Sequence, residues 1–150
     1  MDLKYLIAHW SHVRAGLITT IDKFQNSELD FKPFPGSWSV RQIMMHIAWE
    51  EDGEFNYGIV QTLSDFPPEY PLEEYPDCES IKGLLDSVHA PVMHYLEEFD
   101  EDELSQEVVA PWGNHFRLIE MFGHMIEHEI HHRSELSLIL GVLGREGLNA

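Results

Sequence analysis

At 150 residues, with 43% apolar and 24% charged side chains, the chain has the size and composition of one globular domain over residues 1–150. Its 27 acidic residues against 9 basic ones give a formal net charge of -18, which repels phosphate backbones and excludes nucleic acid as the expected partner. A lone cysteine, Cys78, excludes an intramolecular disulfide and a CxxC site; with no leader pattern and no apolar run of spanning length, a cytoplasmic protein without a membrane partner is expected.

The first predicted element is a long helix from Asp2 to about Asn26, because Leu3, Leu6, Ile7, Trp10, Val13, Leu17, Ile21 and Phe24 recur at spacings of three and four. Ser27 to Ser37, with Pro33, Pro35 and Gly36, reads as a turn-rich linker. Ser37 or Ser39 can cap the next helix, and Gln42 three residues after Ser39 completes a capping box. That second helix is expected from Val40 towards Ser64, with Gly53 and Gly58 marking a bend or a site of close packing. His46 lies between Ile43 and Ile47 and so tends inward. Four prolines in Asp65 to Asp77 predict a long crossover without regular helix.

The third helix is expected over about Glu79 to Phe99, capped by Ser80, with Pro91 predicting a kink or local break near Ser87. His89 and His94, five apart, point in different directions and read as satisfied or exposed residues. Between Asp100 and His115, the β-rich Glu107 to Val109 and the turn Pro111 to Asn114 suggest a small hairpin. The fourth helix spans about Arg117 to Leu143. Four amphipathic helices and one long connection between the second and third give an all-α fold, a four-helix bundle.

The fourth helix concentrates the chemistry. His124, His128, His131 and His132 crowd into little more than two turns, and residues four apart share a helix face, which is metal-ligand spacing. His46, arriving from the second helix, can complete a set with His128 and His132; His124 with His128 has the same spacing and is the rival pair. His131 sits at the border of that face. Glu50, Glu127, Glu129 and Glu135 are placed to orient imidazoles. His128-Glu129-Ile130-His131-His132 also matches HExxH, in which Glu129 would be a general base, although the chain downstream supplies no evident third ligand of that kind.

Trp38-Ser39 leading to His46-Ile47-Ala48, followed by Gly123-His124-Met125-Ile126-Glu127-His128-Glu129-Ile130-His131-His132-Arg133, resembles the DinB/YfiT-like superfamily of metal-binding four-helix bundles. The resemblance covers nearly the whole chain. It implies one divalent ion per chain on His46, His128 and His132, with Zn or Ni first and Fe or Mn next, and a homodimer. It further implies a metal-dependent enzyme that activates a thiol or water, resembling transferases that pair a low-molecular-weight thiol with a small electrophile. The alternatives are a non-catalytic metal-binding or dimerising protein and a metal-dependent hydrolase, and Glu50 and Glu129 are the candidate proton acceptors. Where the family often has Arg-Gly-Gln after the ligand pair, this chain has Arg133-Ser134-Glu135, which adds a carboxylate beside the site and disfavours an anionic thiol.

Overall fold

Helix α1, Leu3–Ile21, starts where the Asp2 side chain accepts the Tyr5 N–H at 2.6 Å, and it buries Leu6, Trp10, Val13, Leu17 and Ile21 along one stripe. The computed structural model describes residues 2–148. The expected extension to Asn26 does not occur. After Ile21 the chain turns so that Phe24 enters the core, and Asn26–Glu28 forms a separate 3-10 turn in which the Glu28 carboxylate accepts the Gln25 N–H.

Helix α2, Val40–Gly53, begins at the expected capping box, with the Ser39 hydroxyl accepting the Gln42 N–H at 3.2 Å and the Gln42 side chain accepting the Ser39 N–H at 2.9 Å. It does not continue as an α-helix to Ser64. At Gly53 it widens into π-helical turns over Glu54–Ile59 and stops. Both glycines serve close packing: a Cβ on Gly53 would lie 2.0 Å from the Phe66 ring, and one on Gly58 would lie 3.1 Å from Met121 and 3.2 Å from Trp112. The crossover is irregular apart from a 3-10 turn at Leu72–Glu74. It is strapped along α2, because the Trp49 indole donates to the Pro67 carbonyl at 2.8 Å and the Tyr70 hydroxyl donates to Asp52 at 2.7 Å.

Helix α3, Cys78–Glu97, is capped by Asp77 rather than Ser80, whose own side chain closes the box from inside. Helix continues through Pro91 without a break, so the missing amide costs one hydrogen bond and no more of the ladder. Strands β1, Glu107–Val109, and β2, His115–Arg117, form the expected antiparallel hairpin and lead into α4, Leu118–Val142. Helix α1 packs mainly on α4 and α3, and α2 packs on α3 and α4. Among the described residues no helix is long and apolar enough to cross a membrane.

The core has two parts. One gathers Leu17, Ile21, Met44, Ile47, Leu85, Leu136 and Leu140; the other gathers Leu6, Trp10, Phe55, Leu96, Phe122 and Ile126. On every helix one polar residue stands at the changeover: Arg14 on α1, Glu51 on α2, His89 on α3 and Glu129 on α4. They join into one buried network. Arg14 pairs with Glu51 and, at 3.0 Å, with Glu129; His89 Nδ1 meets Glu51 at 2.6 Å; the Trp10 indole donates to Glu129 at 2.9 Å.

Candidate metal centre

Where α2 packs on α4, two columns of titratable side chains meet. His46, Glu50 and Glu54 occupy successive turns of α2 and its π-helical continuation, and His132, His128 and His124 occupy successive turns of α4. At one end of the columns the imidazoles converge: His128 Nε2 lies 3.1 Å from His46 Nε2 and 3.1 Å from His132 Nε2. The Glu135 carboxylate lies 2.6 Å from His132 Nδ1, which assigns the His132 proton to Nδ1 and leaves its Nε2 lone pair directed at the cluster. Trp38 covers this group, with ring centroids 4.6 Å from His46 and 6.1 Å from His132.

Burial drives the His46 imidazole down to about 4, with help from neighbouring His132. His128 is driven to about 3, by burial first and then by the surrounding histidines. Both are therefore neutral near pH 7, as a ligand must be. Three imidazoles meeting at Nε2 make poor partners for one another, since His128 Nε2 faces two ring nitrogens and carries at most one proton. A cation satisfies all three at once. Two imidazole nitrogens about 2.1 Å from one ion, at angles between 90° and 110°, lie roughly 3.0–3.4 Å apart, the separation found here. The donor set thus fits a divalent ion. A second grouping, His131, His132 and Glu135, shares His132 but consists of two histidines arranged around one carboxylate.

The remaining expected residues divide clearly. Glu50 lies 4.0 Å from His46, and burial raises its carboxyl above the usual range. His124 turns its ring to Glu54, 3.1 Å away, rather than into the cluster. Glu129 faces the other side of α4 and is held by Trp10 and Arg14 in the buried network, so the HEIHH stretch places its glutamate away from its histidines. Beside His46 is a cleft of about 110 Å³, walled by Trp38, Gln42, Met45, Trp49 and Tyr70.

Glu54 is the member that sequence reasoning missed. Burial, and then the charge of Glu50, raise its carboxyl to about 8. The signal was present as the i, i+4, i+8 series His46, Glu50, Glu54, but Gly53 between the last two obscured whether the helix kept its register.

Comparison with known proteins supports this architecture. A DinB-like protein from Bacillus cereus ATCC 10987 superposes with a TM-score of 0.77 at 16% identity, covering 99% of this chain and 97% of its own. YfiT from Bacillus subtilis, described as a probable metal-dependent hydrolase with an unusual four-helix-bundle topology, gives 0.66 at 20% identity, covering 93% and 87%. A mycothiol-dependent maleylpyruvate isomerase gives 0.62 at 16%, covering 88% of this chain and 60% of its own. No protein of curated function matches the chain. The sequence profile of the DinB superfamily matches residues 9–136, and the chain belongs to that superfamily.

Proposed function

We propose that this protein binds one divalent metal ion through His46, His128 and His132. The observation that carries the proposal is the convergence of three Nε2 atoms, two of the separations being 3.1 Å, with burial keeping the His46 and His128 imidazoles neutral. An all-imidazole set suits Zn and Ni first and Fe or Mn after them. In its simplest role the ion joins α2 to α4 and needs no turnover. The experiment is metal analysis of untagged protein purified without added metal: His132→Ala loses most of the metal and keeps its helical circular dichroism, whereas His124→Ala keeps both. Equal loss from the two variants overturns the ligand assignment.

A catalytic reading is favoured by the cleft beside His46 and by Glu50, whose carboxyl is raised towards the range of a proton acceptor. A bound ion supplies Lewis acidity towards a water or thiol nucleophile. The chain's own residues would then hold the ion, fix the His132 tautomer through Glu135, and take a proton at Glu50; Glu129, bonded to Arg14 and Trp10, serves α4 instead. One relative is named for hydrolysis and another for a thiol-dependent isomerisation, so the shared fold does not choose between water and a low-molecular-weight thiol. A screen of thiols against small electrophiles and of hydrolysable esters, run on the metal-loaded protein, distinguishes them; retained thermal stabilisation by metal with no turnover supports the non-catalytic role. An exposed apolar groove containing Phe34, Trp38, Leu138 and Val142 supports a homodimer, which light scattering tests directly.

A further inference from the structure

The other end of the α2–α4 columns opens into a pocket of about 570 Å³, walled by Glu54, Trp112, Phe116, Glu120, Met121 and His124. That volume falls within the range of small-molecule sites. Its position is structural in origin. Gly58, having no side chain, admits the Trp112 ring from the β1–β2 turn, and Trp112 sits between Tyr57, to which it is tilted, and Phe116, which it meets edge-on, at centroid distances of 5.9 and 6.4 Å. The wall is therefore aromatic on the hairpin side and acidic on the helix side. It contains no lysine or arginine.

We propose that this pocket takes an organic cation with an apolar body, of the aryl- or alkylammonium class. Glu54 is the residue that selects it. Its side chain is only 16% exposed, and His124, 63% exposed, lies 3.1 Å from it as its one ion-pair partner among the described residues. The Glu120 carboxylate at the rim is already engaged by Arg117 at 2.7 Å, and Glu135 at the far end of the columns is engaged by His132. Among the described residues Glu54 thus has only the exposed His124 as a counter-charge, and burial raises its carboxyl to about 8. A positive charge seated beside it stabilises the carboxylate form, while the faces of Trp112 and Phe116 attract the same charge through their π-electron density. A net charge of -18 raises the local concentration of cations and repels anions. An anionic ligand is repelled by the same net charge and by the π-electron density of the rings.

The pocket begins one helical turn from the metal cluster, His124 and His128 having ring centroids 6.5 Å apart. That its occupant is presented to a metal rests on the proposed metal function, whereas occupancy of the pocket does not. The probe is chosen to keep the two separate: benzyltrimethylammonium cannot ligate a metal, while phenylacetate can. In calorimetric titrations of the zinc-loaded and the metal-stripped protein, the quaternary cation binds both forms, roughly tenfold tighter than benzyl alcohol, and phenylacetate binds more weakly than either. Glu54→Gln weakens cation binding about tenfold without changing metal content. Trp112→Ala, on the exposed hairpin turn, weakens it about three- to tenfold and keeps the test readable should the helical substitution disturb folding. Cation affinity equal to that of benzyl alcohol, or unchanged in both variants, overturns the proposal. Absence of metal from the wild-type protein would instead remove the proposed metal function and leave this result standing.

Discussion

The bundle contains two polar clusters at nearly the same level, and they are built on opposite principles. In the buried network opposite charges meet: Arg14 pairs with Glu51 and Glu129, Glu51 meets His89, and Glu129 accepts from the Trp10 indole, although Arg14 Nε and Nη1 and Glu129 Oε1 stay without a hydrogen-bond partner among the described residues. It draws one residue from each helix and lies where the two parts of the core adjoin, so it ties the four helices in register. In the half-buried cluster, His46, His128 and His132 are three groups of one kind meeting nitrogen to nitrogen. A network of paired opposite charges that joins all four helices explains itself as structure. A set of like donors without complement points to something that binds it.

Substitution should separate the two. The largest expected effect is His128→Ala, which abolishes stoichiometric metal binding while leaving the stability of the metal-free protein nearly unchanged, read by metal analysis and urea unfolding. Glu51→Ala should do the reverse: it leaves Arg14 with Glu129 alone and His89 without its carboxylate, and costs about 1–3 kcal/mol, with metal binding retained in the folded fraction. A stability loss of similar size from His128→Ala would erase the distinction. Next is Glu135→Gln, which replaces the carboxylate that fixes the His132 tautomer and should weaken metal affinity about 10- to 100-fold, measured by competition with a chelator.

The smallest effect at neutral pH is protonic, and it has two limbs. His46 and His128 stay neutral in the folded metal-free chain down to about 4 and about 3, against an ordinary value of 6.5. Below about pH 6.5 the unfolded chain therefore binds protons that the folded chain refuses, and stability falls with the pH. Glu54 acts in the other direction: its folded carboxyl keeps its proton to about 8 against an ordinary 4.5, so its contribution is complete below 4.5 and is lost as the pH rises through about 8. Urea titrations of metal-free protein should show both limbs; His46→Ala flattens the acid one and Glu54→Gln the alkaline one. An acid limb that survives His46→Ala and His128→Ala together would place its origin elsewhere.

Much of this architecture was legible in the residues. The stripes of α1, α3 and α4, the capping box at Ser39 and the hairpin between Glu107 and Arg117 follow from local patterns, because spacing and turn chemistry act over a few residues. The end of α1 and the π-helical end of α2 did not follow. Phe24 turns into the core and Phe66 lies on Gly53, and each is a contact between segments that no local pattern records. Glu129 is the sharpest instance. Its place inside HEIHH suggests a base beside a metal, yet at one residue from His128 it must project about 100° around the helix, and there α1 supplies Trp10 and Arg14 to meet it.

The sequence by itself determined that four amphipathic helices form, that they carry an acidic surface, and that His128 and His132 share a face four residues apart, because helical period is a local property. Only the tertiary structure decided that His46 reaches that pair while His124 turns to Glu54, that Glu135 orients His132, and that Glu129 belongs to the core. Which of several equally spaced residues meet is set by how α2 and α4 approach each other, and that approach depends on the packing of all four helices at once.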